Sequence, residues 1–164
     1  MGKSIFSVIV ENKSGILART AGLFARRGFN IESLAVGETA DPRVSRMTIV
    51  VDGDQNIIEQ VEKQLNKQID VIKVRLLNAD DAVRREAALI KVKAGPEIRG
   101  QITDVATIMK ANIADLSPVS ATLEIIDSPE RVRQLLDLLA PYGIMEVART
   151  GTFALLKGAN SLNV

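Results

Sequence analysis

No histidine, cysteine or tryptophan occurs among the 164 residues of this chain, and one Tyr and four Phe make up its 3% of aromatics. Without imidazole there is no serine–histidine couple, no histidine general base and no His-ligated metal. Without thiols there is no sulfur nucleophile, thiolate metal site or disulfide, which suits a reducing compartment. An excess of either charge is missing too. Twenty-one basic residues face 20 acidic ones; the first 80 residues carry 11 and 10, and the remainder ten of each. A nucleic-acid binder concentrates positive charge on one face, so no nucleic-acid partner is expected. No apolar run approaches the ~18 residues of a membrane span. Met1-Gly2-Lys3-Ser4 leads into an alternating strand and not a signal peptide, so a soluble, cytoplasmic protein with no membrane partner is expected.

What is present is enough apolar material, 46% of residues, to bury a core. Ser4–Glu11 reads as a strand, and Asn12-Lys13-Ser14-Gly15 breaks it. Ser14 is placed to cap a helix from about Gly15 to Arg27, with Leu17, Ala21 and Phe24 on one stripe and Gly28 at its end. Ile31–Val36 and Val44–Val51 read as strands joined by a loop too long for a two-residue hairpin. Asp54 caps a second helix carrying Ile57, Ile58, Val61 and Leu65, and Val71–Leu77 is the next strand. The order β-α-β-β-α-β in about 75 residues predicts the ferredoxin-like arrangement, both helices on one face of an antiparallel sheet.

The second half repeats the order. Ala88–Lys93 is a strand, and a helix opening at Gly95-Pro96-Glu97 carries Ile98, Ile102, Val105, Ala106 and Met109. Strands at Ile113–Leu116 and Ala121–Ile126 follow, then a helix capped by Ser128-Pro129-Glu130 with Val132, Leu135, Leu136 and Leu139 buried. Gly143 ends that helix, and Ile144–Leu156 is one final extended segment. Asn78–Glu86 reads as a charged linker. The expected class is α+β: two ferredoxin-like domains, residues 1–79 and 80–164.

Three functions can be weighed on the residues alone. For catalysis, Asp80-Asp81 lies in a polar linker and Glu59/Glu62 on the exposed side of a helix, where solvated charge is the plain reading; Ser14 has no base in its context. No catalytic residue is assigned. Carboxylates alone could hold a divalent ion, but no loop combines closely spaced acids with a glycine turn, so no metal site is expected. For RNA, a ferredoxin-like sheet needs aromatics on its central strands; only Phe6 is available, and it suits a core. For a small ligand, Asn12, Ser14, Gly15 and Ile16 lie where a strand meets a helix N-terminus, a place for a carboxylate. Asn30-Ile31 adds a second amide beside an aliphatic side chain. An apolar amino acid would satisfy such a set; equally, Asn12 and Ser14 could cap a turn and Gly15 relieve strain. Both readings stand at this point.

The run Phe6-Ser7-Val8-Ile9-Val10-Glu11-Asn12-Lys13-Ser14-Gly15-Ile16-Leu17-Ala18-Arg19, continuing through Gly22-Leu23-Phe24-Ala25-Arg26-Arg27-Gly28-Phe29-Asn30-Ile31-Glu32-Ser33-Leu34, resembles an ACT domain, and more narrowly the regulatory small subunits of acetolactate synthase. Asp41-Pro42, Ser45-Arg46-Met47-Thr48-Ile49 and Glu146-Val147-Ala148-Arg149-Thr150-Gly151 are similar to that family too, so the likeness covers nearly the whole chain. One departure is Ile126-Asp127-Ser128-Pro129, where a small residue and glycine would be expected.

The resemblance implies a non-catalytic regulatory chain. Its partner would be the catalytic large subunit, which carries thiamine diphosphate, magnesium and FAD; no cofactor is implied on this chain. The small subunit would raise that enzyme's activity and confer feedback inhibition by valine or another branched-chain amino acid, in branched-chain amino acid biosynthesis. It would form a homodimer through the ACT domain. The effector would lie between Asn12, Ser14, Gly15 and Ile16 of one copy and Asn30 and Ile31 of the other. An ACT-type sensor of another amino acid, acting on a different enzyme, is the alternative. An independent small α/β enzyme is a third reading, which the missing His and Cys disfavour.

Overall fold

The computed structural model describes residues 2–162, which fall into two compact units: residues 2–83 together with 152–162, and residues 84–151.

The first unit runs β1 (Gly2–Glu11), α1 (Ile16–Arg27), β2 (Ile31–Glu38), β3 (Val44–Gly53), α2 (Gln55–Asn66), β4 (Val71–Leu77). Its sheet has the order β2-β3-β1-β4, with every neighbouring pair antiparallel. Alternation along β1 sends Phe6, Val8 and Val10 into a core with Met47, Ile49 and Val51 of β3, Leu23 and Phe24 of α1, and Ile58, Val61 and Leu65 of α2. Phe6 is fully buried there, opposite Ile49, so it offers no stacking platform. Ile5, Ser7 and Ile9 point to the other face and are buried as well, which explains the near-continuous apolar run of this strand.

Helix α1 buries Ile16, Thr20, Leu23 and Phe24. The expected stripe of Leu17, Ala21 and Phe24 is corrected by about one residue, and Leu17 is 46% exposed. The cause lies at the helix start. Gly15, at φ 83°, is the N-cap residue, and the Ser14 side chain caps nothing. Buried Thr20 satisfies its hydroxyl on Gln68 Oε1 at 3.3 Å. Helix α2 starts as expected, with Asp54 accepting from Ile57 N at 2.9 Å.

The second unit holds β5 (Ala82–Lys93, which runs across the division), α3 (Arg99–Met109), β6 (Asn112–Leu116), β7 (Ser120–Asp127), α4 (Pro129–Leu139) and β8 (Ile144–Arg149). The order β6-β7-β5-β8 repeats that of the first sheet. Its own core gathers Ala88, Ile90 and Val92 with Ile102, Ala106, Met109, Leu123, Ile125, Val132, Leu135 and Leu139. Ser128 caps α4 by accepting from Arg131 N at 3.3 Å. Glu86, 3% exposed, takes two hydrogen bonds from Arg149 at 2.6 and 2.9 Å.

Three boundaries are corrected. The charged stretch from Asn78 is not a linker: a 3-10 turn at Ala79–Asp81 leads directly into β5. Its alternation of buried and exposed residues extends back through Glu86 to Ala82, hidden by the arginines between. Helix α3 begins at Arg99, four residues after Gly95. Finally, the segment from Ile144 is not one strand. Gly151, at φ 75°, breaks it, and β9 (Phe153–Leu156) returns to the first unit. The second domain therefore does not extend over 80–164. Ala154 packs with Ile5, Val50, Leu77 and Ala82, and Leu162 with Ile9 and Val44, on the helix-free face of the first sheet.

Candidate effector-binding site

Strand β1 delivers Glu11 to the edge of a tight turn. Glu11 N donates to Asp70 O at 2.9 Å, Asn12 N to Arg43 O at 2.7 Å and Lys13 N to Glu11 O at 3.0 Å. The first helical bond follows at once, Arg19 N to Gly15 O at 2.9 Å. Gly15 is the residue that permits this start, since an L side chain at φ 83° is strained. No side chain caps α1 and no acid lies in its first turn, whereas α2 and α4 are capped by Asp54 and Ser128. The positive end of α1, where Ile16 N reaches Lys13 O only at 3.5 Å and no side chain caps the helix, is thus left to solvent or to an anion.

The surrounding side chains add charge of both signs. Lys13 pairs with Glu11, whose carboxylate pushes the ammonium pKa up from its ordinary value. Arg19 pairs with Asp70 at 2.7 Å, and its guanidinium passes 3.1 Å from where a Cβ on Gly15 would lie. Asn12 reaches across to the β2–β3 loop, its Nδ2 donating to Pro42 O at 2.8 Å and Glu38 Oε1 at 3.2 Å. Its donors are spent on that loop, which leaves Oδ1 as the free amide atom. Glu38 has no cationic partner among the described residues. The loop itself is stapled by Arg43, whose Nε and Nη2 donate to the Asp41 carboxylate at 3.0 and 2.7 Å. The Arg43 guanidinium and backbone N–H hold Asp41 down to about 2.

The residues singled out in the sequence fall into two groups. Asn12, Ser14, Gly15 and Ile16 form this one turn, though the Ile16 side chain is spent on the core. Asn30 and Ile31 are elsewhere. Ile31 pairs with Val51, which pairs with Ser4, whereas the turn follows Glu11. The run from Ser4 to Glu11 places them about 23 Å apart along the sheet. Within one chain the two groups do not meet. Sequence reasoning missed Glu38 and the loop tie to Pro42 and Arg43, because only the three-dimensional register brings residue 38 beside residue 12.

The corresponding turn of the second unit, between β5 and α3, is closed differently. Arg99 Nη2 donates to Ala94 O, Ser117 O and Pro118 O at 3.3, 3.1 and 2.9 Å, filling the turn with its own guanidinium. Among the described residues no helix is long and apolar enough to cross a membrane.

Two family models match: residues 6–73 the AHAS small subunit-like ACT domain, and residues 85–158 the small subunit of acetolactate synthase. The chain belongs to the acetolactate synthase small-subunit family. It is 51% identical over 156 residues to a probable acetolactate synthase small subunit of Archaeoglobus fulgidus, covering 95% of this chain and 98% of that one. It is 47% identical over 156 residues to the acetolactate synthase small subunit of Mycolicibacterium smegmatis, with 95% and 92% covered. The crystal structure of the small subunit from Thermotoga maritima superposes with a TM-score of 0.89 at 38% identity, covering 98% of this chain and all of that one. Membership of this family gives the chain the standing of a regulatory subunit of acetolactate synthase.

Proposed function

We propose that this chain activates the catalytic large subunit of acetolactate synthase and makes it sensitive to valine, performing no chemistry itself. Thiamine diphosphate, magnesium and FAD belong to the large subunit in this reading. The first domain is the sensor. The effector's carboxylate sits at the open N-terminus of α1, against the backbone of Ser14, Gly15 and Ile16 and near Arg19. Its ammonium is held by Asn12 Oδ1 and the uncompensated Glu38 carboxylate.

The observation that supports this most is the split of the site. Asn30 and Ile31 stand at the far end of β2, and β2 is an edge strand whose outer side pairs with no other strand among the described residues. Pairing two copies of β2 antiparallel about a two-fold axis sets Ile31 of one copy against Glu38 of the other. Asn30 then arrives beside the Asn12 turn of the partner, and each dimer holds two sites. The half-buried Ile31 and Leu34 and the exposed Val36 supply apolar surface along that edge. An aliphatic side chain suits the pocket so formed, and Glu38 with Asn12 favours an amino acid over the matching keto acid.

Titrating valine into the purified chain tests the sensor. Wild type is expected to bind, and Gly15→Asp, which puts a carboxylate where the effector's carboxylate belongs, weakens binding about tenfold or more, about 1.4 kcal/mol or above. Asn30→His is expected to do the same from the other side. No binding by wild type to valine, leucine or isoleucine overturns the reading. Adding the chain to a catalytic subunit and following acetolactate formation with and without valine tests activation and inhibition together.

A further inference from the structure

We infer that segment 152–162 is a strap that positions the effector turn, its anchor Leu162 being coupled to effector binding at Asn12–Ile16. The inference rests on the sensor reading above. The strap lies on the helix-free face of the first sheet, and its hold is uneven. Thr152 N donates to Ser33 Oγ at 3.4 Å, Ala154 and Leu156 pack around Ile5, Val50, Leu77 and Ala82, and Lys157 donates from N and Nζ to Asp81 O and Asp80 O at 2.8 and 2.7 Å. The next four residues, 158–161, are all exposed. Leu162 is then buried again, 5% exposed, the one buried residue of 158–162. A stretch so exposed opens at lower cost than the packed sheet beneath it.

Where Leu162 lands decides the matter. It packs on Ile9 and Val44, the residues from which β1 and β3 run into the effector turn and its loop. The β1–β4 register shifts just after Ile9, so the chain beyond it is re-aimed there. Val44 N donates to Asp41 O, Val44 O accepts from Thr39 N, and neighbouring Arg43 O accepts the Asn12 N–H that closes the turn. Arg46, opposite Ile9, donates to Ser7 Oγ at 2.6 Å and reaches Leu162 O at 3.5 Å. Burial pushes its guanidinium pKa down from its ordinary value. Leu162 therefore braces, from behind, both strand ends whose hydrogen bonds shape the turn. A ligand that orders the turn favours the docked strap, and the docked strap must favour the ligand by the same factor.

The test uses the 164-residue chain. Amide exchange of a peptide covering 158–162 is measured with and without saturating valine, and valine affinity is measured for Leu162→Asp, for Leu162→Met and for the chain lacking residues 158–164. The expected results are slower exchange with valine, a loss of affinity of about fivefold or more for Leu162→Asp and the truncation, and near wild-type affinity for Leu162→Met. Far-UV circular dichroism confirms that each variant is folded; if Leu162→Asp is not, the truncation carries the test. Wild type that binds valine, with unchanged exchange and unchanged affinity in the folded variants, overturns the strap and leaves the sensor standing. Wild type that binds no branched-chain amino acid overturns the sensor reading itself.

Discussion

Phe6 shows how one residue separates two functions that share a fold. It sits on β1 facing the helices, fully buried beside Ile49 and Met47, where a base could not reach it. Phe6→Ala is expected to cost about 3–5 kcal/mol in denaturant unfolding, the size of a lost core aromatic. Asp41 acts at the other extreme of exposure. Its carboxylate, forked by Arg43, titrates near 2, below the 3.8 of a free side chain. A depressed acid stabilises the folded form above its unfolded pKa, and that contribution disappears as pH falls through the folded value. The β2–β3 loop should therefore keep its staple down to about pH 3. A side-chain NMR titration should place Asp41 near 2 in wild type and back toward 3.8 in Arg43→Ala. Little global stability depends on it, because the pair is exposed. At this scale the candidate site was partly legible. Asn12 and Gly15 announce themselves by residue type, an amide before a glycine at a strand–helix junction. Ser14 misled, since a serine one residue before a left-handed glycine looks like a cap. Glu38 carried no local signal at all.

At the scale of elements, periodicity did most of the work. Val71–Leu77 and the Ser128-Pro129 helix start lie where hydrophobic spacing and capping chemistry put them. Charged residues inside a strand defeated the same reasoning in β5, where Arg84, Arg85 and Glu86 masked the alternation and Glu86 is buried only because Arg149 neutralises it. The caps are testable. Asp54→Ala removes the acceptor of the Ile57 N–H and should cost α2 about 1 kcal/mol, read from the shift in unfolding midpoint. Strand β2 makes a sharper prediction. Val36→Lys puts a charge on an exposed edge position and should block strand pairing between copies. Monomer stability should change by less than about 0.5 kcal/mol, while sedimentation shows loss of the dimer and calorimetry loss of valine binding together. A monomeric variant that still binds valine with wild-type affinity would separate the two.

The whole molecule is a repeat put to unequal use. Both units have the same strand order, and both have a glycine near the first strand–helix turn. In the second unit Arg99 fills that turn, whereas in the first no side chain caps the helix. The repeat was visible in the sequence because each half writes the same succession of periods. The return of 152–162 to the first unit was not, since β9 pairs with β5, the strand that runs across the division, and only Gly151 hinted at the break. In the proposed sensor the site is completed by a second copy of the chain. Mixing two defective chains tests that directly. Homodimers of Gly15→Asp and of Asn30→His should each bind valine weakly. After subunit exchange, each mixed dimer should regain one intact site, pairing the unaltered turn of one chain with the unaltered Asn30 of the other. Calorimetry should then return wild-type affinity at one valine per mixed dimer. Exchange verified by mass spectrometry with no recovery of binding would contradict the split site.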